Sequence, residues 1–148
     1  MSNLLISEIF FSLNGEGLEI GKPTVFVRLS GCNLDCSWCD TKYADHNATE
    51  KNIDEILEEI EKCGNDINSV LITGGEPLTQ DIEPLVDILH RKQYDIAIET
   101  NGSVYKDILL KIDFISVDIK TPSSNNETND LTVFNKIVNA IKIRKGQM

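Results

Sequence analysis

Three of the four cysteines fall within eight residues, as Cys32-Asn-Leu-Asp-Cys36-Ser-Trp-Cys39. Thiolates at this C-x3-C-x2-C spacing can converge on one inorganic centre. A structural zinc site ordinarily takes four protein ligands, often as two separated pairs. This chain has no second pair, and neither His46 nor His90 stands at a finger-like spacing. A [4Fe–4S] cubane takes four thiolates, so three would leave one iron open to another ligand. On spacing alone, zinc or unrelated thiols remain alternatives. Cys63 lies 24 residues beyond Cys39 and reads as a free structural thiol. His46 and His90 read as solvated or capping residues, and the acidic run Asp54–Glu61 as a solvated helix face. Arg28 stands inside an apolar segment, where its guanidinium offers a bidentate donor to a carboxylate; a plain surface arginine or one paired with a glutamate is the alternative.

These residues need elements to position them. Leu4–Ser12 and Thr24–Ser30 read as strands, separated by the turn Asn14-Gly15-Glu16-Gly17. A cysteine-rich loop follows from Gly31 to about His46. Asn52–Cys63 places Ile53, Ile56, Leu57 and Ile60 on one helical face, with Asn52 to cap its start and Gly64 its end. Ser69–Thr73 is an apolar run that fits a strand covered on both faces. A helix over Asp81–Gln93 follows, with Ile82, Leu85, Val86 and Leu89 on one side. Asp95–Thr100 and Phe114–Ile119 read as strands, with a short helix over Val104–Lys111 between them. Thr121–Asn129 reads as a polar loop. A last helix, Asp130–Lys145, presents Leu131, Phe134, Val138 and Ile141 as its stripe.

Helices alternating with strands from residue 52 onward predict βαβ units, a parallel sheet and right-handed crossovers. Ligands in such sheets sit beyond the carboxyl ends of the strands. The polar clusters fall at those places: Gly31–Thr41, Gly74–Pro77, Glu99–Gly102 and Asp118–Lys120 each follow an expected strand.

Composition bounds the rest. The chain has 148 residues, 41% hydrophobic and 26% charged, an ordinary globular balance that disfavours disorder and coiled coil. The length suits one domain over residues 1–148. With 14 Lys+Arg against 24 Asp+Glu the net charge is −10, which disfavours a nucleic acid or anionic membrane as partner. No apolar run approaches a membrane span, the start carries no basic segment of a signal peptide, and clustered cysteines suit a reducing compartment. The expected location is cytoplasmic.

Taken together, the cysteine spacing, Thr73-Gly-Gly-Glu76-Pro77 and Glu99-Thr-Asn-Gly102 resemble the radical S-adenosylmethionine (SAM) enzymes. Phe11-Ser-Leu-Asn-Gly15-Glu16-Gly17, Gly21-Lys-Pro-Thr-Val-Phe-Val-Arg28 and Cys39-Asp40-Thr41 look like the 7-carboxy-7-deazaguanine synthase family within that superfamily. The resemblance runs from about Ile6 to Lys120 and is densest over Phe11–Ala44.

The resemblance implies an α/β fold, an incomplete (β/α) barrel of mostly parallel strands with helices outside, ending before the family's last elements. The implied reaction converts 6-carboxy-5,6,7,8-tetrahydropterin to 7-carboxy-7-deazaguanine with loss of ammonia, in queuosine-type 7-deazapurine biosynthesis. Cys32, Cys36 and Cys39 would hold the [4Fe–4S] cluster and Thr41 a Mg²⁺ ion. Trp38, Cys39, Asp40, Gly75, Glu99, Asn101, Asp118, Ile119 and Lys120 would hold SAM. Leu13, Asn14, Gly15, Glu16, Arg28 and Thr73 would meet the pterin. The family also implies a homodimer and a flavodoxin-like or ferredoxin-like reductant. Relatives often carry Gln where this chain has Asn14, and Ser-Pro-Lys where it has Asp118-Ile-Lys120. A small glycyl-radical activating enzyme, or a non-catalytic metal-binding fragment, are the alternatives.

Overall fold

The computed structural model describes residues 3–46, 48–64, 66–126 and 131–146. Its elements are β1 (Asn3–Leu13), β2 (Pro23–Leu29), β3 (Thr49–Asn52), α1 (Ile53–Lys62), β4 (Ser69–Gly74), α2 (Glu83–Arg91), β5 (Asp95–Thr100), β6 (Phe114–Val117) and α3 (Leu131–Gly146). Six strands form one sheet in the order β3-β1-β2-β4-β5-β6. β2, β4, β5 and β6 run parallel, and β1 pairs antiparallel with both β2 and β3. The sheet is open at β3 and β6, giving the expected incomplete, mostly parallel α/β architecture.

Strand alternation sorts the side chains. Val25, Val27, Val70, Ile72, Ile96 and Ile98 are fully buried and join Ile56 and Ile60 of α1 and Leu85, Val86 and Leu89 of α2 in one core. The alternate residues Phe26, Arg28, Thr73, Glu99 and Ser116 line a cavity. α1 begins with the expected cap: Asn52 accepts from the Glu55 amide, and Glu55 accepts from the Asn52 amide. This capping box satisfies two donors that the first turn would otherwise leave unpaired. The α1 acids face outward, with Glu59 paired to Lys51 and Glu61 to Lys92.

Several expectations are corrected. The segment expected as a helix over Val104–Lys111 forms only a 3₁₀ turn, Asp107–Lys111. Val104 and Tyr105 are drawn against the core and Lys106 is extended, leaving too few residues to offset helix nucleation. α2 starts at Glu83 rather than Asp81, with Pro84 in its first turn, where a missing N–H costs nothing. It ends at Arg91, and Gln93 adopts a left-handed conformation. β6 stops at Val117, two residues short of the expected end. β3 is four polar, exposed or half-exposed residues without the hydrophobic alternation that would reveal a strand. The expected stripe of α3 is also rotated. Among its described side chains Ile137 and Ala140 are buried, with Val133 and Ile141 packed beside them, whereas Leu131 is exposed. Asp130, the expected start of that helix, and residues 127–129 of the polar loop lie outside the described residues. No helix among the described residues is long and apolar enough to cross a membrane.

Candidate active site

A polar row crosses the sheet near the carboxyl ends of its parallel strands. Register places Glu8 opposite Arg28, Arg28 beside Thr73, and Glu99 beside Ser116. The Thr73 hydroxyl closes the gap by donating to Glu99 Oε2 at 2.7 Å. Glu8 owes its position to a bulge: the β1–β2 register shifts between Ile6 and Glu8, without which Ser7 would oppose Arg28. A bulge re-aims the side chains beyond it. Arg28 Nε then donates to Glu8 Oε1 at 2.7 Å, which also accepts from Tyr43 Oη at 3.1 Å. The guanidinium lies over the rings of Phe10 and Tyr43, and Phe10 stacks on Phe26. Arg28 is therefore a held cation on the cavity floor.

The cavity above this row has a volume of about 830 Å³, within the range of small-molecule and cofactor sites. Of the residues expected to bind cluster, SAM, magnesium or pterin, all but Ile119 line it. The Ile119 side chain is exposed and lies outside the lining. Leu13, Asn14, Gly15 and Glu16 form one rim. Asn14 is buried and its Oδ1 accepts from the Glu16 amide at 3.0 Å, an Asx turn that shapes this loop from within. Trp38, Cys39, Asp40 and Thr41 form a second rim. Lys120 Nζ sits 5.1 Å from the Trp38 ring centroid and 2.6 Å from Asp118 Oδ2, joining this rim to the end of β6. Burial pulls the Lys120 pKa down, but the hydrogen bond and charge of Asp118 together with Cys36 and Cys32 outweigh it and the net shift is upward.

Gly74 and Gly75 explain why the turn after β4 tolerates no side chain. A Cβ at Gly74 would stand 2.1 Å from the Leu29 carbonyl oxygen, and one at Gly75 2.2 Å from the Gly31 carbonyl oxygen. The two segments cross there, with the Gly75 and Glu76 amides donating to the Leu29 and Gly31 carbonyls. The glycines thus seat the β4 turn on the start of the cysteine loop as well as facing the cavity.

Glu76 is the residue that motif reading passed over. Its carboxylate is fully buried. It accepts from the Leu78 amide at 3.0 Å, the Thr100 hydroxyl at 2.8 Å and the Asn101 amide at 2.7 Å. Burial pushes its pKa up, against the pull of these three donors. An acid directly after a glycine pair and before a proline is the available signal, but only the fold supplies its partners. Through it the β4 and β5 loops are tied together. Asn101 then reaches the cysteine loop, with Nδ2 3.1 Å from Asn33 Oδ1 and 3.8 Å from Cys32 Sγ.

All four cysteines are free thiols. Among the described residues, no three His, Cys, Asp or Glu side chains converge as they would on a single metal ion. A cubane is wider than one ion and takes its thiolates at separate corners, and Cys32, Cys36 and Cys39 approach one cavity from three points of one loop. Each sulfur already accepts an N–H: Cys32 from Leu34 at 3.4 Å, Cys39 from Thr41 at 3.4 Å, and Cys36 from Asn126 Nδ2 at 3.1 Å. Donors aimed at sulfur suit cluster-bound thiolates, so this donor set fits a [4Fe–4S] group. Burial raises the Cys32 pKa, partly offset by its Leu34 and Asn101 contacts. Burial likewise raises Glu99, with Glu16 and Asp118 adding to the shift while Thr73 and Arg28 oppose it. Cys63 is half-buried beside Glu59, away from the cavity. His46 caps the turn after Thr41 and lines the cavity wall, and the His90 ring bonds the Lys111 carbonyl.

Comparison with known proteins follows the same lines. Residues 26–145 match the model of the Radical SAM superfamily. The 7-carboxy-7-deazaguanine synthase of Methanospirillum hungatei is 42% identical over 132 residues, covering 86% of this chain and 55% of its own length. That of Haemophilus influenzae is 43% identical over 120 residues, covering 80% of this chain and 54% of its own. That of Clostridium acetobutylicum is 37% identical, covering 99% of this chain and 73% of its own. The chain therefore spans about half the length of the first two and about three quarters of the third. The crystal structure of QueE from Escherichia coli superposes with a TM-score of 0.76 at 23% identity, over 99% of this chain and 78% of that one, and shows the same fold. With the superfamily match, the cysteine loop and these relatives in agreement, the chain belongs to the radical SAM superfamily and, within it, to the 7-carboxy-7-deazaguanine synthase family.

Proposed function

We propose that this chain converts 6-carboxy-5,6,7,8-tetrahydropterin to 7-carboxy-7-deazaguanine with loss of ammonia, as a radical SAM lyase of 7-deazapurine biosynthesis. The observation that carries the reading is one cavity in which the three-cysteine loop faces Arg28, Thr73 and Glu99. When bound, a [4Fe–4S] cluster with SAM supplies a 5′-deoxyadenosyl radical, and the protein supplies orientation and exclusion of water.

Cys32, Cys36 and Cys39 would hold the cluster. Lining carboxylates, among them Glu16, Asp40, Glu99 and Asp118, suit a sulfonium-bearing cofactor, since opposite charge is attracted most strongly inside a partly desolvated site. Glu99, fixed by Thr73, would accept from ribose hydroxyls. Asn101, Trp38, Asp118 and Lys120 would frame the rest of SAM, with Gly75 and Ile119 contributing backbone.

Arg28 would bind the pterin carboxylate, already oriented by Glu8 and by the Phe10 and Tyr43 rings. Glu16 and the Leu13–Gly15 backbone would accept and donate along the pterin's amide and amine edge. Thr41 Oγ1 donates to Asp40 Oδ1 at 2.7 Å, which leaves its lone pairs for a hard cation such as Mg²⁺. A homodimer, a flavodoxin-like or ferredoxin-like reductant and a cytoplasmic location belong to the same proposal and rest on the family alone. A glycyl-radical activating role or a fragment without turnover finds no support among the named relatives.

The test is mass spectrometry of an anaerobic reaction. Protein reconstituted with iron and sulfide is reduced and given SAM, Mg²⁺ and 6-carboxytetrahydropterin. The expected product is 7-carboxy-7-deazaguanine. Formation of 5′-deoxyadenosine without it would keep radical SAM chemistry and remove this substrate.

A further inference from the structure

The segment after β6, read from sequence only as a polar loop, makes a contact that the proposed reaction does not account for. Pro122–Ser124 forms a 3₁₀ turn, Ser124 is fully buried, and Asn125 adopts a left-handed conformation with φ of 59°. Asparagine is one of the few non-glycine residues that accept this conformation readily. The turn delivers Asn126 to the cysteine loop from a separation of 90 residues.

Asn126 Nδ2 lies 3.1 Å from Cys36 Sγ, with Ser124 O at 3.2 Å and Ser124 Oγ at 3.3 Å sharing its two hydrogens. Its Oδ1 accepts from the Asp35 amide at 3.3 Å. Ser37 completes the seam: its amide donates to Ser124 O at 3.1 Å and its hydroxyl to Ser123 O at 3.0 Å. The residues on both sides of Cys36 are thereby pinned to one turn.

The three cysteines are not equivalent. Cys32 and Cys39 are exposed and take a backbone N–H from two residues further along the same loop, Cys32 with a longer 3.8 Å contact from Asn101 Nδ2 besides. Cys36 is the buried one, and its donor is a side chain from elsewhere in the fold. A thiolate removed from water needs a donor to replace the solvent. A hydrogen bond to a ligand sulfur also draws charge from it and favours the reduced, more negative cluster, while fixing the ligand's direction.

We propose that Asn126 is a positioning residue for the iron–sulfur centre, latching the Asp35–Ser37 segment and raising the cluster's reduction potential through Cys36 Sγ. This rests on the family reading that Cys36 ligates a cluster.

The test compares reconstituted wild type with Asn126→Leu, similar in size but without donor or acceptor, and Asn126→Asp, which keeps only the acceptor. The cluster midpoint is followed by an EPR-monitored redox titration. At the wild-type midpoint, the reduced-to-oxidised ratio in Asn126→Leu is expected to fall about tenfold, equivalent to 59 mV for one electron. Asn126→Asp should fall at least as far. Hydrogen exchange of the segment around Asp35, measured on cluster-free protein, should accelerate in Asn126→Leu and stay protected in Asn126→Asp.

An unchanged midpoint in Asn126→Leu carrying a full iron complement would overturn the inference. If that variant holds no cluster, unchanged exchange around Asp35 would overturn it, and accelerated exchange would support it. A wild type that takes up no cluster would instead remove the reading that Cys36 ligates one.

Discussion

Glu76 offers the sharpest quantitative test, because three short hydrogen bonds define what its removal leaves behind. In Glu76→Gln the remaining oxygen still serves Leu78 N and Thr100 Oγ1, but the new amide nitrogen faces the Asn101 amide, 2.7 Å from the atom it replaces. Losing that bond and opposing two donors is expected to cost about 2 kcal/mol. Glu76→Ala leaves all three donors without their partner in a buried site and opens a void. With each unmet donor costing about 1–3 kcal/mol and water satisfying some of them, the loss should reach about 4 kcal/mol. Against a total of about 5–15 kcal/mol for ordinary domains, Glu76→Ala should be close to unfolding. Urea unfolding of cluster-free protein under reducing conditions measures both, with hydrogen exchange at Asn101 reporting the local tie. A Glu76→Ala variant within about 0.5 kcal/mol of wild type, the range of an ordinary surface change, would refute the clamp. Loss of stability without faster exchange at Asn101 would place the cost elsewhere.

Gly75→Ala must push the β4 turn off Gly31, given the 2.2 Å clash. It should lower stability by about 3 kcal/mol and reduce iron retention, read by thermal unfolding and iron content. Asn52→Ala removes the α1 capping box and should cost about 1 kcal/mol in chemical denaturation, leaving cluster uptake unchanged. Burial raises the Glu99 pKa from its reference of 4.5, so the fold favours the protonated form. The stability this contributes is complete below that reference and is lost as pH rises through the folded value. If Glu99 accepts from the SAM ribose as proposed, SAM affinity should run the opposite way, rising with pH as its carboxylate ionises. Equilibrium binding across this range should show that rise in wild type and a flat profile in Glu99→Gln.

What the sequence determined by itself is what few neighbouring residues decide. The C-x3-C-x2-C loop, the Asn52 cap with its stripe through Ile56 and Ile60, and the apolar runs of β4 and β5 depend on spacing, hydrogen bonds within a turn and burial pattern. Each can therefore be read within a short window, and placing polar clusters after strands follows from the chirality of βαβ units. What required the tertiary structure depends on register between distant segments. α3 carries two candidate apolar stripes, and only docking selects Ile137 and Ala140 over Leu131 and Phe134. The polar β3 becomes a strand because β1 offers it an edge. The bulge after Ile6 sets Glu8 against Arg28, one residue from a pairing that would have offered Ser7. Glu76 and Asn126 meet their partners 24 and 90 residues away. These contacts form only when strand order and loop crossings bring the partners together. Local propensity sees one half of each pair, and long-range packing supplies the other.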